Sequence, residues 1–139
     1  MTVITKTLSF QSMGQDEMTD ITASVQDTLT ATGLSNGIVT VFVPGSTASV
    51  TTIEYEPGLI KDFPHAMEWL APKDAYYDHN ARWGDGNGHS HVRAATIGPS
   101  LVVPFQNGRL MLGTWQQIVF IDFDNRPRAR NVIVQAMGE

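Results

Sequence analysis

The chain opens on an alternation. From Thr2 to Phe10, Val3, Thr5, Thr7 and Ser9 fall on one side, with Ile4, Lys6, Leu8 and Phe10 on the other. That period of two, with its β-branched content, predicts a strand. Gly14 breaks the pattern. Met18, Ile21, Val25 and Leu29 then recur at helical spacing. Asp16 stands where an N-cap carboxylate would accept the first free backbone N–H groups, and Gly33 where a terminating glycine is expected. Gly37 to Val43 is a dense β-branched run between Asn36-Gly37 and Pro44-Gly45, and reads as a buried strand.

Thr47 to Tyr55 repeats the strand signal. Pro57 opens a helix-compatible segment whose apolar side is Leu59, Ile60, Phe63, Met67 and Leu70, closed by Pro72. Pro64 should kink this helix or start a second one. Lys73 to Gly88 has no apolar period and reads as a long loop, which in a compact domain points to function. Leu101–Phe105 and Leu110–Thr114 flank Asn107-Gly108, a hairpin signal because both turn residues tolerate positive φ. Trp115 to Phe123 is nearly continuous apolar sequence, as in a strand buried on both faces. Asn125-Arg126-Pro127 turns the chain, and Asn131 to Met137 forms a last strand.

These elements add up to an α+β fold with an antiparallel-rich sheet or sandwich and two helical segments, in a single domain spanning residues 1–139. One small domain seldom covers both faces of a strand like Trp115–Phe123, which points to oligomerisation. With 42% apolar and 17% charged residues, the composition is that of a globular protein. The absence of cysteine removes disulfides and thiolate metal sites. A net charge of −5 argues against nucleic acid as a partner. No run resembles a signal peptide or a membrane span, so a cytoplasmic location without membrane association is expected.

Three of the four histidines, His79, His89 and His91, lie within thirteen positions. On an extended backbone His89 and His91 would point the same way and reach one ion. Three imidazoles are the donor set of a catalytic zinc that keeps one position open. Glu54 and Asp85 are candidates for a general base or for carboxylates that orient the imidazoles. Asp78 is a further carboxylate nearby, whereas His65 reads as structural or exposed. Gly84 to Gly88 could cradle an anion, although glycines needed for a tight loop explain it as well. Ser46 and Thr47, after a buried strand, could hold phosphate. Trp115 and Gln116 could line a pocket, or be a core tryptophan beside an edge glutamine. Arg126, Arg128 and Arg130 recur every second residue, as a phosphate clamp or a solvated edge.

The stretch SLVVPFQNGRLMLGTWQQI, Ser100 to Ile118, resembles the signature of the YjbQ family, above all in Gly113-Thr114-Trp115-Gln116 with Gly108 five residues earlier. Thr47-Ala48-Ser49, Glu54, Asp62, His79, Ser90-His91 and Gly138-Glu139 also match family positions, so the resemblance covers the whole chain. It implies a compact α+β homotrimer with a histidine-rich pocket near subunit boundaries, holding a divalent metal such as zinc. It further implies a weak thiamine-phosphate synthase activity, credited to some members, and hence a phosphorylated small metabolite as ligand. A non-catalytic trimeric module that binds a metal or small ligand is the alternative. Many members carry histidine where this chain has Gly45, with His89 available here to take its place.

Overall fold

The computed structural model describes all 139 residues. Eight strands and four helices follow in the order β1 (Thr2–Ser12), β2 (Glu17–Asp20), α1 (Thr22–Thr32), β3 (Gly37–Phe42), β4 (Ala48–Ile53), α2 (Pro57–Leu70), α3 (Asp78–Trp83), α4 (Gly88–Ile97), β5 (Ser100–Gln106), β6 (Arg109–Leu110), β7 (Gln117–Asp122) and β8 (Arg128–Gly138). The strands form two antiparallel sheets, β1-β8-β3-β5-β6 and β2-β7-β4.

The main core lies between the sheets and α1. Val39 and Val41 of β3, Val132 and Val134 of β8, and Ile118 and Phe120 of β7 meet Val25 and Leu29 of α1 there, all but shut off from solvent. Each such side chain contributes about 1.5–3 kcal/mol by leaving water. Because side chains alternate along a strand, Val119 and Ile121 of β7 face the other way, where Met67 of α2 and Ala94 of α4 cover them. The strand is therefore buried on both faces, as its sequence suggests, but the chain does the covering itself. The doubly buried strand thus carries no argument for assembly.

Several local expectations need correction. Asp16 does not cap α1, which begins at Thr22 and whose Thr22 N–H donates to the Asp20 carboxylate. Asp16 has a positive φ of 66° and a buried carboxylate, and Met18 lies in β2. Pro64 sits inside a single α2 that runs unbroken from Pro57 to Leu70. The predicted long loop contains α3, and His89 and His91 lie on α4, so the helices number four rather than two. The Asn107-Gly108 turn is as expected, with φ of 52° and 71°, but the strand after it is only Arg109–Leu110 rather than Leu110–Thr114, and β7 begins at Gln117 rather than Trp115.

No helix is long and apolar enough to cross a membrane.

Candidate active site

Three pieces of chain meet at one cleft: the β3–β4 turn, the α3–α4 segment, and the start of β8. Its volume is about 450 Å³. Ser46, Thr47, His79, Asp85 and His91, all candidates from sequence, line it together, as do Trp83 and Asn87, which sequence reasoning missed.

The back wall is a charge network that fixes the β8 arginines. Arg130 donates from Nε and Nη2 to the two carboxylate oxygens of the fully buried Asp122, each at 2.7 Å, and from Nη2 to Thr47 Oγ1 at 2.8 Å. Nη1 takes part in none of these bonds, and it lies 3.4 Å from where a Cβ on Gly45 would stand. Thr47 Oγ1 in turn donates to Asp124 at 2.9 Å, so this hydroxyl is committed to the wall. Arg128 Nε forms an ion pair of 2.8 Å with Asp124, without the alignment of a hydrogen bond. Burial opposes ionisation of Asp124. The Asn125 N–H, the Thr47 hydroxyl and the Arg128 charge outweigh it and hold its pKa below the ordinary carboxylate value.

The imidazoles of His79 and His91 stand at the mouth, ring centres 4.5 Å apart and tilted by 43°. His79 Nδ1 is buried and lies 3.3 Å from the Asp85 carboxylate, yet no hydrogen bond is aligned on it. Burial and the charge of His79 lower the pKa of His91, against the opposing pull of Asp124, Asp85 and the Ser46 backbone. The lowered pKa favours the neutral imidazole, the form that can accept a proton. Gly88 lets the start of α4 come close to α3: a Cβ there would stand 2.7 Å from Tyr77 Cβ. Its N–H donates to Asn80 Oδ1 at 2.8 Å. Gly84 and Gly86 both have φ of 69°, so these glycines serve the turn between the two helices.

His89 does not join the pair. On a helix, residues two apart point to nearly opposite sides, so the expectation drawn from an extended backbone fails. His89 is 4% exposed and belongs to the inner face of α4, its Nε2 3.3 Å from Ser90 Oγ and its Nδ1 without a partner. Within one chain no group of three or more His, Asp or Glu side chains is arranged to hold a metal ion. The three-imidazole set is therefore not assembled in a single subunit.

Glu54, Trp115 and Gln116 are brought together elsewhere. They line a second cleft of about 370 Å³ at the far end of β4. The seven residues from Thr47 to Glu54 place it about 20 Å from the first along an extended strand. Trp115 is 71% exposed rather than a core residue, and Gln116 bridges the Gly113 N–H and Thr52 Oγ1 at 3.0 Å each. Glu54 thus cannot serve the imidazoles of its own chain. Arg126 is exposed in the β7–β8 turn and lines neither cleft, so only Arg128 and Arg130 of the alternating arginines face the candidate site.

A two-sheet α+β domain with a polar, histidine-bearing cleft between a β-turn and two short helices defines the class. The model of the "UPF0047 protein YjbQ-like" family matches residues 6–139, and the chain belongs to that family. Its curated relatives include a UPF0047 protein of Methanothermobacter thermautotrophicus, 40% identical over all of this chain and 95% of its own length. YugU of Bacillus subtilis is 37% identical over 96% of this chain and 98% of its own. Among solved structures, a YbjQ-like protein of unknown function from Sulfolobus solfataricus superposes with a TM-score of 0.90 at 30% identity, covering 99% of this chain and 100% of the other. An uncharacterised family protein from Clostridium acetobutylicum gives 0.87 at 33% identity, covering 95% and 99%.

Proposed function

We propose that the protein is an enzyme acting on a phosphorylated small metabolite, with the His79–His91 pair as its acid–base centre. The observation that carries this reading is the juxtaposition of the two imidazoles with the unengaged Nη1 edge of Arg130 in one cleft. Asp122 fixes the guanidinium so that this edge stays presented, which suits a phosphate oxygen. Ser46, an exposed residue lining the same cleft, adds a hydroxyl, and His91, its pKa lowered, supplies the base.

The particular reaction that the family resemblance suggests is the joining of a pyrimidine pyrophosphate to a thiazole phosphate, with release of pyrophosphate. Fixed cationic donors stabilise such a departing group. The test is turnover. Purified protein given both precursors should form thiamine phosphate above a no-enzyme control, and His91→Ala should remove that activity while keeping its melting temperature. No product would leave a non-catalytic binding module, whereas product indifferent to His79→Ala and His91→Ala alike would place the chemistry outside the histidine pair.

A second reading is favoured by the buried His79 Nδ1, which has no aligned partner. Two imidazoles beside a carboxylate suit a divalent metal, zinc by donor type. His79 and His91 would hold it, with the set completed by a donor that one chain does not place there. When bound, such an ion would polarise a phosphate oxygen. A homotrimer could supply that donor. Supporting assembly, the outer face of the five-stranded sheet exposes Val3, Ile38, Phe42 and Val102, a patch of the kind that covers itself with a second copy. Sedimentation of the purified protein tests the trimer directly.

A further inference from the structure

A second cavity adjoins the polar cleft. It measures about 320 Å³, roughly ten times the volume of one water in the liquid. Its own walls are Ala48, Ala94, Ala95 and Pro99, and no charged side chain lines it. Gly45, Ser46 and His91 line both cavities, so the imidazole that faces the charge network on one side borders an apolar groove on the other.

Gly45 sits at the junction. Its φ lies outside the left-handed region, so the backbone does not demand glycine there. A Cβ would meet only Arg130 Nη1 at 3.4 Å and Val43 Cγ1 at 3.9 Å. Because Gly45 lines both cavities, a longer side chain there would take up space at their border, against Arg130 Nη1. Glycine at this position leaves that edge of Arg130 uncovered.

We infer that the cleft and the groove are two halves of one substrate site, and that the substrate class is a phosphomonoester bearing a compact apolar or aromatic body. The inference rests on the phosphate reading of the polar cleft given above. The phosphate lies against Arg130 Nη1 and Ser46, the body lies against Ala95 and Pro99, and His91 stands at the bond region between them. Small side chains along α4 make the room, and apolar contact there gives affinity that a bare anion cannot gain.

Titration calorimetry with inorganic phosphate, methyl phosphate and phenyl phosphate separates the two claims. Phenyl phosphate should bind at least about tenfold more tightly than the other two, a difference of about 1.4 kcal/mol. Ala95→Phe, which fills the groove from an exposed helical position, and Gly45→Leu, which closes the junction, should each bring that ratio close to one. As a readout independent of any variant, the methyl resonance of the exposed Ala95 should shift with phenyl phosphate and stay in place with inorganic phosphate. Equal affinities in the unaltered protein would overturn the bipartite site while sparing the phosphate cleft. A preference that survives both substitutions, with an unmoved Ala95 methyl, would put the aromatic body elsewhere and overturn it too. No binding of any of the three would remove the phosphate reading and this inference together.

Discussion

Arg93, with no exposed surface, donates from one nitrogen, Nη1, to both carboxylate oxygens of Asp16 at 3.0 Å. Its remaining donors are spent on the Ala71 carbonyl and on Glu68, and Lys73 adds a second cation 3.3 Å from Asp16. The arrangement pins α4 to the β1–β2 turn and to the end of α2, and so fixes where His91 stands. Removing one partner of such a pair leaves a charge buried without compensation, which costs about 3–5 kcal/mol. Glu68 keeps part of the guanidinium satisfied, so the lower half of that range is expected for Asp16→Asn, which retains a side chain tolerant of positive φ. Urea unfolding measures it, and a loss below about 1 kcal/mol would mean that Asp16 is dispensable to the anchor.

His89 gives the fold a pH dependence of definite sign. Burial, then the charges of Arg93 and Lys73, lower its pKa from the ordinary 6.5, while Asp16 and Glu68 oppose. Between the folded pKa and 6.5 the unfolded chain binds the proton more readily, so stability falls as pH drops through that window. Above 6.5 the penalty is absent, and below the folded pKa it is complete. The carboxylates act later, through a shift in the same direction. Glu68, lowered from 4.5 by the Lys73 N–H and by Arg93, contributes stability that is lost only in more acidic solution. In the presence of chelator, the melting temperature should therefore fall first just below pH 6.5, and His89→Phe should reduce that first fall, leaving the share of His91, whose pKa is lowered in the same direction. An identical slope in the variant would assign the effect to another group.

Much of this fold was legible because apolar residues announce it. The alternation of Thr2–Phe10, the Asn107-Gly108 hairpin and the unbroken run of β7 all depend on apolar or positive-φ signals, and all three stand. The stretch around the histidines was misread for a physical reason. The inner face of α4 is His89, Ser90, Arg93 and Ala94, a helical stripe that is buried but mostly polar. Its burial depends on Asp16, 77 positions away from Arg93, and on the Phe123 carbonyl that accepts from Ser90. A search for apolar periodicity cannot see a helix held by such partners. The same error turned His89 and His91 into neighbours, since only an extended chain puts residues two apart on one side. The cleft residues Ser46, His79, Asp85 and His91 were found because chemistry, unlike position, can be read from residue type. That Glu54 and Trp115 belong to a different cleft could be known only once β4 had a direction.

Close packing of α3 against α4 predicts a second structural sensitivity. A methyl on Gly88 would stand 2.7 Å from Tyr77 Cβ, an atom that moves only with its backbone, and 2.9 Å from Asn80 Oδ1, which accepts from the Gly88 N–H. Gly88→Ala should push α4 away from α3 and cost about 1–3 kcal/mol. Because His79 and His91 lie on those two helices, it should also weaken phosphate binding in the cleft. Gly84→Ala is the control for backbone strain alone, since nothing lies within 4 Å of a Cβ there although its φ is 69°. If the two variants affect phosphate affinity equally, contact between the helices is not what sets the site.

The metal reading makes a prediction that separates the three histidines. If His79 and His91 hold a divalent ion, His79→Ala and His91→Ala should each lower zinc affinity at least about tenfold, in the range expected when a ligand or its close support is lost. His89→Gln should leave zinc affinity where it was, because the ring of His89 sits on the inner face of α4 beside Ser90 and Tyr77. Calorimetric titration of chelator-treated protein with zinc reads both. Bound zinc should also raise the melting temperature, since an ion held only by the folded chain stabilises it by mass action. Equal losses at all three positions would restore a three-imidazole site and require α4 to rotate on loading. Zinc binding indifferent to His79 and His91 would place any metal outside this cleft.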